Sequence, residues 1–184
     1  FEVQECFLAG TLILTEMGEK PVEELVIGDR LQTLSGQLEP IKWMGQQTYY
    51  RATAHPLRSN PIHIRPGALG DNLPQRDLFI SPDHALLIDG LLINAGPLTN
   101  GTSIVQMQPA KDSFTYYHIE LQHHALLIAE GTAAESYLPQ KHDRTTFDNA
   151  EEYAALYPEQ TLISLLPTDY PRVSSKRQLP RFVA

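Results

Sequence analysis

The chain has 184 residues, of which 42% are hydrophobic and 20% charged, a composition typical of a soluble globular domain with a sizeable core. Its formal net charge of -8 argues against nucleic acid as the main partner, because phosphate binding requires a basic face. No apolar run approaches the roughly 20 residues that cross a bilayer, so no transmembrane segment is expected. The single cysteine, Cys6, excludes an internal disulfide and a cysteine-based metal cage.

The chain opens with Phe-Glu-Val-Gln-Glu rather than with Met or a basic and apolar leader. We therefore expect it to be a piece of a longer precursor. A secreted bacterial precursor is one origin compatible with this opening, and the location stays open.

Turn signals recur at short intervals through the first three quarters of the chain. The stretches between them are β-branched, leucine-rich or aromatic and too short for helices, which predicts an all-β domain. The predicted strands are 11–15, 30–34, 62–65, 78–80, 85–88, 104–108 and 116–121.

The pentapeptide His-Ala-Leu-Leu-Ile occurs twice, at 84–88 and at 124–128. The flanking residues align without gaps, and each copy runs to a glycine within one residue of the same place. Leucine and isoleucine are common in strands, so chance identity is the alternative. We favour an internal duplication.

After residue 139 the composition changes. Residues 147–157 predict a short helix, with Asp148 or Asn149 placed to cap it and Pro158 placed to end it. The proline-rich remainder is expected to lie loosely along the domain, and its basic residues, including Arg172, are interpreted as a solvated end.

Residues 6–33 contain Cys-Phe-Leu-Ala-Gly-Thr, then Pro-Val-Glu-Glu-Leu, then Gly-Asp-Arg-Leu-Gln-Thr. This stretch resembles the opening block of Hint domains, the autoprocessing fold shared by Hedgehog carboxy-terminal domains and inteins. Residues 69–84, LGDNLPQRDLFISPDH, resemble the bacterial intein-like group. The resemblance implies an all-β, horseshoe-like Hint fold with pseudo-two-fold symmetry, which fits the duplicated pentapeptide, followed here by a short C-terminal extension with one helix.

The resemblance also implies a chemistry. The Cys6 thiol attacks the Glu5 carbonyl, and the Glu5-Cys6 peptide bond becomes a thioester that water or another small nucleophile breaks. The domain would act once, on its own upstream segment in cis, and would need no cofactor. We therefore expect an upstream flank at 1–5, an autoprocessing domain at 6–138 and an extension at 139–184.

Such a reaction needs a base for the thiol and an acid for the amide nitrogen. The Thr-x-x-His motif of Hint domains is matched by Ser-Pro-Asp-His at 81–84, which implies His84 as the acid and Ser81 as the residue that orients the scissile amide. A later block is matched by Tyr-His-Ile-Glu-Leu at 117–121. His118 stands there at the position where many inteins carry aspartate, so its role as thiol activator is a hypothesis. Strand alternation and the internal alignment favour His124 over His123 as a further site residue.

A splicing intein closes with His-Asn followed by Cys, Ser or Thr. Here Glu135 and Ser136 stand at the His-Asn positions and Tyr137 at the position of the nucleophile, so protein splicing is not expected. Sterol transfer, as in Hedgehog domains, finds no matching motif in the extension.

Two classes of function therefore stay open: a self-cleaving domain, and a catalytically silent β-domain that serves as an interaction or carrier module. A cysteine hydrolase acting in trans is a weaker third. A metal site built from His118, His123 and His124 is disfavoured, because neighbours on a strand point to opposite faces. The other histidines are interpreted as ordinary polar residues: His55, His63 and His142.

Overall fold

The computed structural model describes residues 4–139, 144–159 and 166–181, so His142 lies outside the described residues. Two short α-helices, α1 (Pro56–Ser59) and α2 (Ala150–Leu156), accompany fifteen strands in these ranges. The strands are β1 (Phe7–Leu8), β2 (Leu12–Thr15), β3 (Gly18–Pro21), β4 (Arg30–Gln32), β5 (Leu38–Pro40), β6 (Trp43–Tyr50), β7 (Ile62–Ile64), β8 (Leu78–Ile80), β9 (Ala85–Ile88), β10 (Leu91–Asn94), β11 (Ile104–Gln106), β12 (Ser113–Glu120), β13 (Leu126–Ala129), β14 (Thr132–Glu135) and β15 (Arg172–Val173).

The strands form two sheets, which confirms the all-β prediction. The first has the order β11-β7-β8-β1-β12-β6, and the second has the order β15-β10-β9-β14-β13-β2-β4-β5 with β3 paired to β2. Both sheets contribute to one apolar core, in which Phe7 and Leu78 of the first sheet are buried with Ile13 and Leu127 of the second. No helix in the described ranges is long and apolar enough to span a membrane.

The predicted strands at 78–80 and 85–88 have the predicted bounds, whereas most of the others are shorter than predicted. One of the two longest strands of the first sheet, β6, was not predicted. It pairs with β12 over eight residues, from Trp43 opposite Glu120 to Tyr50 opposite Ser113. Only its first three residues are fully buried, so its sequence lacks the apolar alternation of a core strand.

The repeated pentapeptide lies in two adjacent hairpins, β9–β10 and β13–β14, which are joined because β14 pairs with β9. Each hairpin closes on a two-residue turn with positive φ at both residues, Asp89-Gly90 in the first and Glu130-Gly131 in the second. Ile88 closes the first turn and Ala129 closes the second. The sequence alignment pairs Ile88 with residue 128 instead. The gap-free alignment is therefore one residue out of structural register.

The first described part of the extension packs along β6, the edge strand of the first sheet. Phe147 and Tyr153 are buried against Trp43. The side chains of Asp148 and Asn149 accept hydrogen bonds from backbone N–H groups of β6, at 2.8 and 2.9 Å. Asn149 occupies the N-cap position of α2 but makes no side-chain capping hydrogen bond. The prediction of a helix within 147–157 with Asn149 at its N-cap is confirmed, but the side chains of Asp148 and Asn149 hydrogen-bond the edge of the sheet rather than the backbone of the helix.

The second described part, 166–181, adds β15 to the edge of the second sheet. β15 runs parallel to β10, with Val173 opposite Ile93, and Val173 is buried. The extension thus covers one edge strand of each sheet: it hydrogen-bonds to β6 in the first sheet and pairs with β10 in the second. The division at residue 139 stays a prediction.

Candidate active site

Cys6 lies immediately before β1, between two strands that supply the other site residues. On one side β1 pairs with β8, with Phe7 opposite Ile80, and on the other it pairs with β12, with Phe7 opposite Tyr117. Continuing both registers by one residue sets Cys6 between Ser81 and His118. The sequence motifs therefore meet at one point because a short central strand is flanked by the two strands that carry them.

The Cys6 thiol is fully buried. It packs in a small cluster with Phe114 and Tyr116, which the partly buried Tyr49 also contacts. Burial raises the pKa of the thiol well above its usual range, and the Ser81 hydroxyl acts against that shift. The resting thiol is therefore protonated, and it is inaccessible to an external protein substrate.

The Ser81 hydroxyl makes hydrogen bonds to the backbone on both sides of Glu5. The backbone N–H of Cys6 donates to Ser81 Oγ at 3.2 Å, and the hydroxyl itself donates to the carbonyl oxygen of Gln4 at 2.7 Å. The backbone N–H of Ser81 also donates to the Cys6 carbonyl at 3.1 Å. Serine at this position thus contacts the nitrogen of the Glu5-Cys6 bond directly.

His84 is fully buried between two backbone carbonyls. Its Nδ1 lies 3.0 Å from the carbonyl oxygen of Cys6, and its Nε2 lies 2.9 Å from the carbonyl oxygen of Glu135. Carbonyls only accept, and a neutral imidazole carries one N–H, so one contact lacks a hydrogen unless the ring is protonated. Burial lowers the pKa of His84, and the Glu135 carboxylate and both carbonyls act in the opposite direction. The resting ring is therefore neutral, and the two carbonyls are placed to accept hydrogen bonds from it if it takes up a proton.

His118 is also fully buried, with its ring 4.4 Å from that of Phe147 in the extension and 5.5 Å from that of Tyr137. Neither ring nitrogen makes a hydrogen bond within the part of the chain that the structure describes. Burial, reinforced by His84, lowers the pKa of His118 to about 3, while the Glu5 backbone acts against the shift. His118 is therefore a neutral imidazole near the residue that carries the scissile carbonyl.

The two adjacent histidines differ in burial, although both lie in the segment before β13 rather than in a strand, where alternation would apply. The side chain of His123 is 81% exposed, whereas that of His124 is fully buried. His124 Nδ1 accepts from the backbone N–H of Thr168 at 3.0 Å, so Nε2 carries the hydrogen that it donates to Glu135 Oε2 at 3.1 Å. His124 thus contacts Glu135, and Glu135 contacts His84.

The Glu135 carboxylate is the junction of the site, because it joins His124, Arg172 and the backbone beside His84. This role was not predicted from the sequence. The carboxylate accepts from the backbone N–H of Ala85 at 2.9 Å, from His124, and from two nitrogens of Arg172. Burial raises the pKa of Glu135, but the hydrogen bonds from His124 and Arg172 outweigh burial and hold it below its usual range. The interpretation of Arg172 as part of a solvated end is wrong, because its guanidinium lies on a buried carboxylate.

Two further side chains complete the surroundings. Burial and the Glu135 carboxylate raise the pKa of Glu5, the residue before the scissile bond. Ser136 Oγ accepts from the backbone N–H of Ala125 at 3.0 Å. Among the residues the structure describes, no three histidine, cysteine or acidic side chains are grouped to hold a metal ion.

Comparison with known proteins places this geometry in a family. The Hint domain family model matches residues 5–141, and the chain therefore belongs to the Hint domain family. Membership supports an autoprocessing type of domain in general. A search of curated proteins found no match.

Solved structures agree on the fold. The chain is similar to a bacterial intein-like domain from Clostridium thermocellum, with a TM-score of 0.52, 15% identity, and coverage of 72% of this chain and 98% of that one. It is similar to the gp41-1 intein, with a TM-score of 0.50, 13% identity, and coverage of 72% and 98%. For the MchDnaB-1 intein the TM-score is 0.50, the identity 11%, and the coverage 71% and 98%. At these identities the likeness shows the Hint fold, as the sequence predicts.

Proposed function

We propose that the domain cleaves its own Glu5-Cys6 peptide bond by an N-to-S acyl shift, without protein splicing. The observation that carries this proposal is the hydrogen bond of 3.2 Å from the scissile N–H to Ser81 Oγ, in a buried site shared with the Cys6 thiol and His84. Cys6 Sγ attacks the Glu5 carbonyl carbon, the carbon–nitrogen bond breaks, and the thiol proton ends on the Cys6 nitrogen. Water or another small nucleophile then attacks the thioester, and the thiol leaves with a proton.

His84 is the proposed proton carrier. Its Nδ1 lies 3.0 Å from the Cys6 carbonyl, and the nitrogen that must be protonated belongs to the same residue. A rotation of the Cys6 backbone during the attack would replace the contact of His84 with the Cys6 carbonyl oxygen by a contact with the Cys6 nitrogen. The neutral resting ring can take the thiol proton, and the carbonyls of Cys6 and Glu135 stabilise the imidazolium that forms. The Ser81 hydroxyl is too weak an acid to replace it and holds the amide in place.

His118 has a different proposed role from the thiol activator that the sequence suggested. A ring whose pKa is lowered to about 3 is a weak base, so it is a poor acceptor for a thiol proton. A neutral imidazole N–H that reaches the Glu5 carbonyl oxygen during the attack would instead stabilise the oxyanion formed there. The influence of the Glu5 backbone on His118 supports this assignment.

Cleavage without splicing is supported by the residues that replace the splicing motif. The carboxylate of Glu135 is occupied by four hydrogen bonds, and Ser136 Oγ accepts from a backbone N–H. Neither side chain can cyclise onto the backbone as asparagine does. The substrate is then the upstream flank at 1–5 and what precedes it, with 6–138 as the processing domain and 139–184 as its extension.

A catalytically silent interaction or carrier module is the second candidate. It is favoured by the fully buried Cys6 thiol, whose pKa is raised, and by the contact of His84 with the Cys6 carbonyl rather than with the scissile nitrogen. A site frozen in this geometry would hold the fold together and perform no chemistry.

The two candidates are separated by fusing a folded protein to the amino terminus and following the mass of the fusion, with and without hydroxylamine. Self-cleavage predicts a new end at Cys6, acceleration by hydroxylamine, loss in Cys6→Ala and strong slowing in His84→Ala. The matched control is His123→Ala, whose side chain is 81% exposed and which should cleave at the wild-type rate. A folded fusion that stays intact under every condition excludes self-cleavage and leaves the silent module.

A further inference from the structure

We propose that Arg172, in the C-terminal extension, is a positioning residue for the cleavage, acting through Glu135 on His84. The inference rests on the proposed function. Arg172 lies outside residues 5–141, the part of the chain that the family model matches, so membership of the family does not assign it a role.

The first link is the contact between Arg172 and Glu135. Arg172 Nη1 donates to Glu135 Oε1 at 3.0 Å and to Asn94 Oδ1 at 3.1 Å, and Nη2 donates to the other oxygen of the same carboxylate. Two parallel bonds from a planar guanidinium fix both the place and the plane of a carboxylate. The Glu135 side chain is fully buried, so its charge depends on these bonds and on His124.

The second link is the contact of Glu135 with the His84 segment at two points. The Glu135 backbone carbonyl lies 2.9 Å from His84 Nε2, and its Oε1 accepts at 2.9 Å from the backbone N–H of Ala85. One glutamate therefore holds both the ring of His84 and the backbone of the following residue. The opposite edge of the ring lies against the Cys6 carbonyl, so a displacement of Glu135 that moves its backbone carbonyl turns the ring relative to the scissile bond.

The third link is the secondary structure that carries Arg172. β15 lies beyond β10 at the edge of the second sheet, and β10 and β9 separate it from β14. The long arginine side chain crosses this distance and uses Asn94 of β10 on the way. Nearby, the backbone N–H of Thr168 fixes His124, the other side-chain donor to Glu135. The extension thus supports the carboxylate from two places.

Loss of the guanidinium leaves a poorly compensated carboxylate. Glu135 would keep only the bonds from His124 and Ala85, beside a second carboxyl group, that of Glu5, which already interacts with it electrostatically. A buried charge in that position protonates or moves. Either response loosens the hold on His84.

The test compares cleavage rates of the amino-terminal fusion in four variants. We expect Arg172→Gln to slow cleavage about tenfold or more, since small misplacements of a reacting group have effects of this size. Arg172→Lys should recover only part of the rate, because an ammonium cannot bridge both carboxylate oxygens and Asn94. If Arg172 acts through Glu135, Arg172→Gln combined with Glu135→Gln slows cleavage by less than the product of the two single effects.

The matched control is Arg144→Gln. Arg144 also comes from the extension and also donates twice to a buried glutamate, Glu120, at 2.7 and 3.1 Å. Arg144→Gln should lower the unfolding temperature as Arg172→Gln does, and it should leave the cleavage rate of the folded protein unchanged. Equal slowing in both variants, in step with their stabilities, would show that Arg172 acts only on folding and would overturn the inference.

A second measurement does not depend on cleavage. In a Cys6→Ala background, the ¹⁵N resonances of the His84 ring should shift when Arg172→Gln is added and stay in place when Arg144→Gln is added. Unchanged resonances overturn the positioning of His84 even if the wild-type fusion cleaves. A shift in a protein whose wild-type fusion never cleaves supports the positioning and removes the proposed function.

Discussion

The two hairpins that carry the repeated pentapeptide share a backbone design and differ in chemistry. In the first, the ring of His84 lies 3.0 Å from the Cys6 carbonyl. In the second, His124 stands one residue farther from its turn and contacts Glu135 and Thr168. Both histidines precede their strands, and the shift of one residue places His84 on the backbone carbonyl of Glu135 and His124 on its carboxylate. Identical residues in two similar hairpins therefore need not be equivalent residues in the site.

The largest expected difference between the two hairpins is measured by replacing His84 and His124 in turn in the fusion. His84→Gln should slow cleavage about 100-fold or more, the size expected for a lost proton carrier. His124→Gln should slow it about tenfold or less, because His124 acts only through Glu135. Rates are measured by mass spectrometry on folded protein. Equal slowing by the two substitutions would show that the hairpins contribute alike.

A second test compares the stability that each hairpin draws from an acidic side chain. Glu135→Gln in the second hairpin removes a buried charge bonded to Arg172 and His124, and should cost about 2 kcal/mol. Asp89→Asn in the exposed turn of the first hairpin should cost less than about 0.5 kcal/mol. Urea unfolding at pH 7 in a Cys6→Ala background measures both. A small cost for Glu135→Gln would contradict its role as the junction of the site.

The pH dependence of stability distinguishes His84, at the start of the first hairpin, from Glu135, in the second. The pKa of His84 is lowered from 6.5 in the folded state, so the contribution of this group to stability falls as pH drops below 6.5. The pKa of His118 is lowered too and adds to the same window. The pKa of Glu5 is raised from 4.5 to about 8, so its contribution grows as pH drops through that range and opposes that of His84. The pKa of Glu135 is lowered from 4.5, so its contribution is present above 4.5 and is lost as pH falls further.

Urea unfolding between pH 7 and pH 3 measures these contributions in the Cys6→Ala background. His84→Gln should flatten the dependence between pH 6.5 and 4.5, where His84 titrates in the unfolded chain. Glu135→Gln should flatten it below pH 4.5. Were His84 protonated in the folded protein at neutral pH, His84→Gln would not reduce the loss in the upper window, and the neutral resting ring would be refuted.

Local sequence patterns predicted the parts of the fold whose burial is determined locally. The strand at 78–80 is a dense apolar run bounded by turn residues, and 85–88 runs from a turn into Asp89-Gly90. β6 was not predicted because its less buried half forms backbone hydrogen bonds to side chains about a hundred positions later in the sequence, those of Asp148 and Asn149. Pairing at that distance leaves no periodic signal in the strand itself.

The residues of the candidate site likewise fall into those that local motifs predicted and those that only distant pairing brings together. Motif spacing predicted Cys6, Ser81 and His84, which the structure brings together. It gave no sign that Glu135 and Arg172 meet, because an ion pair between distant segments has no local spacing. Glu135 was noticed only as the residue that replaces a splicing histidine. The basic residues of the extension were the one available signal, and charge alone did not distinguish a buried guanidinium from a solvated one.

The smallest expected difference lies in the two turns. Gly90 and Gly131 have φ of 78° and 79°, so alanine at either should cost about 1 kcal/mol. A Cβ at Gly90 meets open space, whereas one at Gly131 would lie 2.7 Å from the exposed Gln75 side chain, which can swing aside. Thermal unfolding should therefore place Gly131→Ala a few tenths of a kcal/mol below Gly90→Ala. Adding Gln75→Ala should remove that difference, and a difference that persists would mean that the two turns are not alike in backbone, contrary to their shared design.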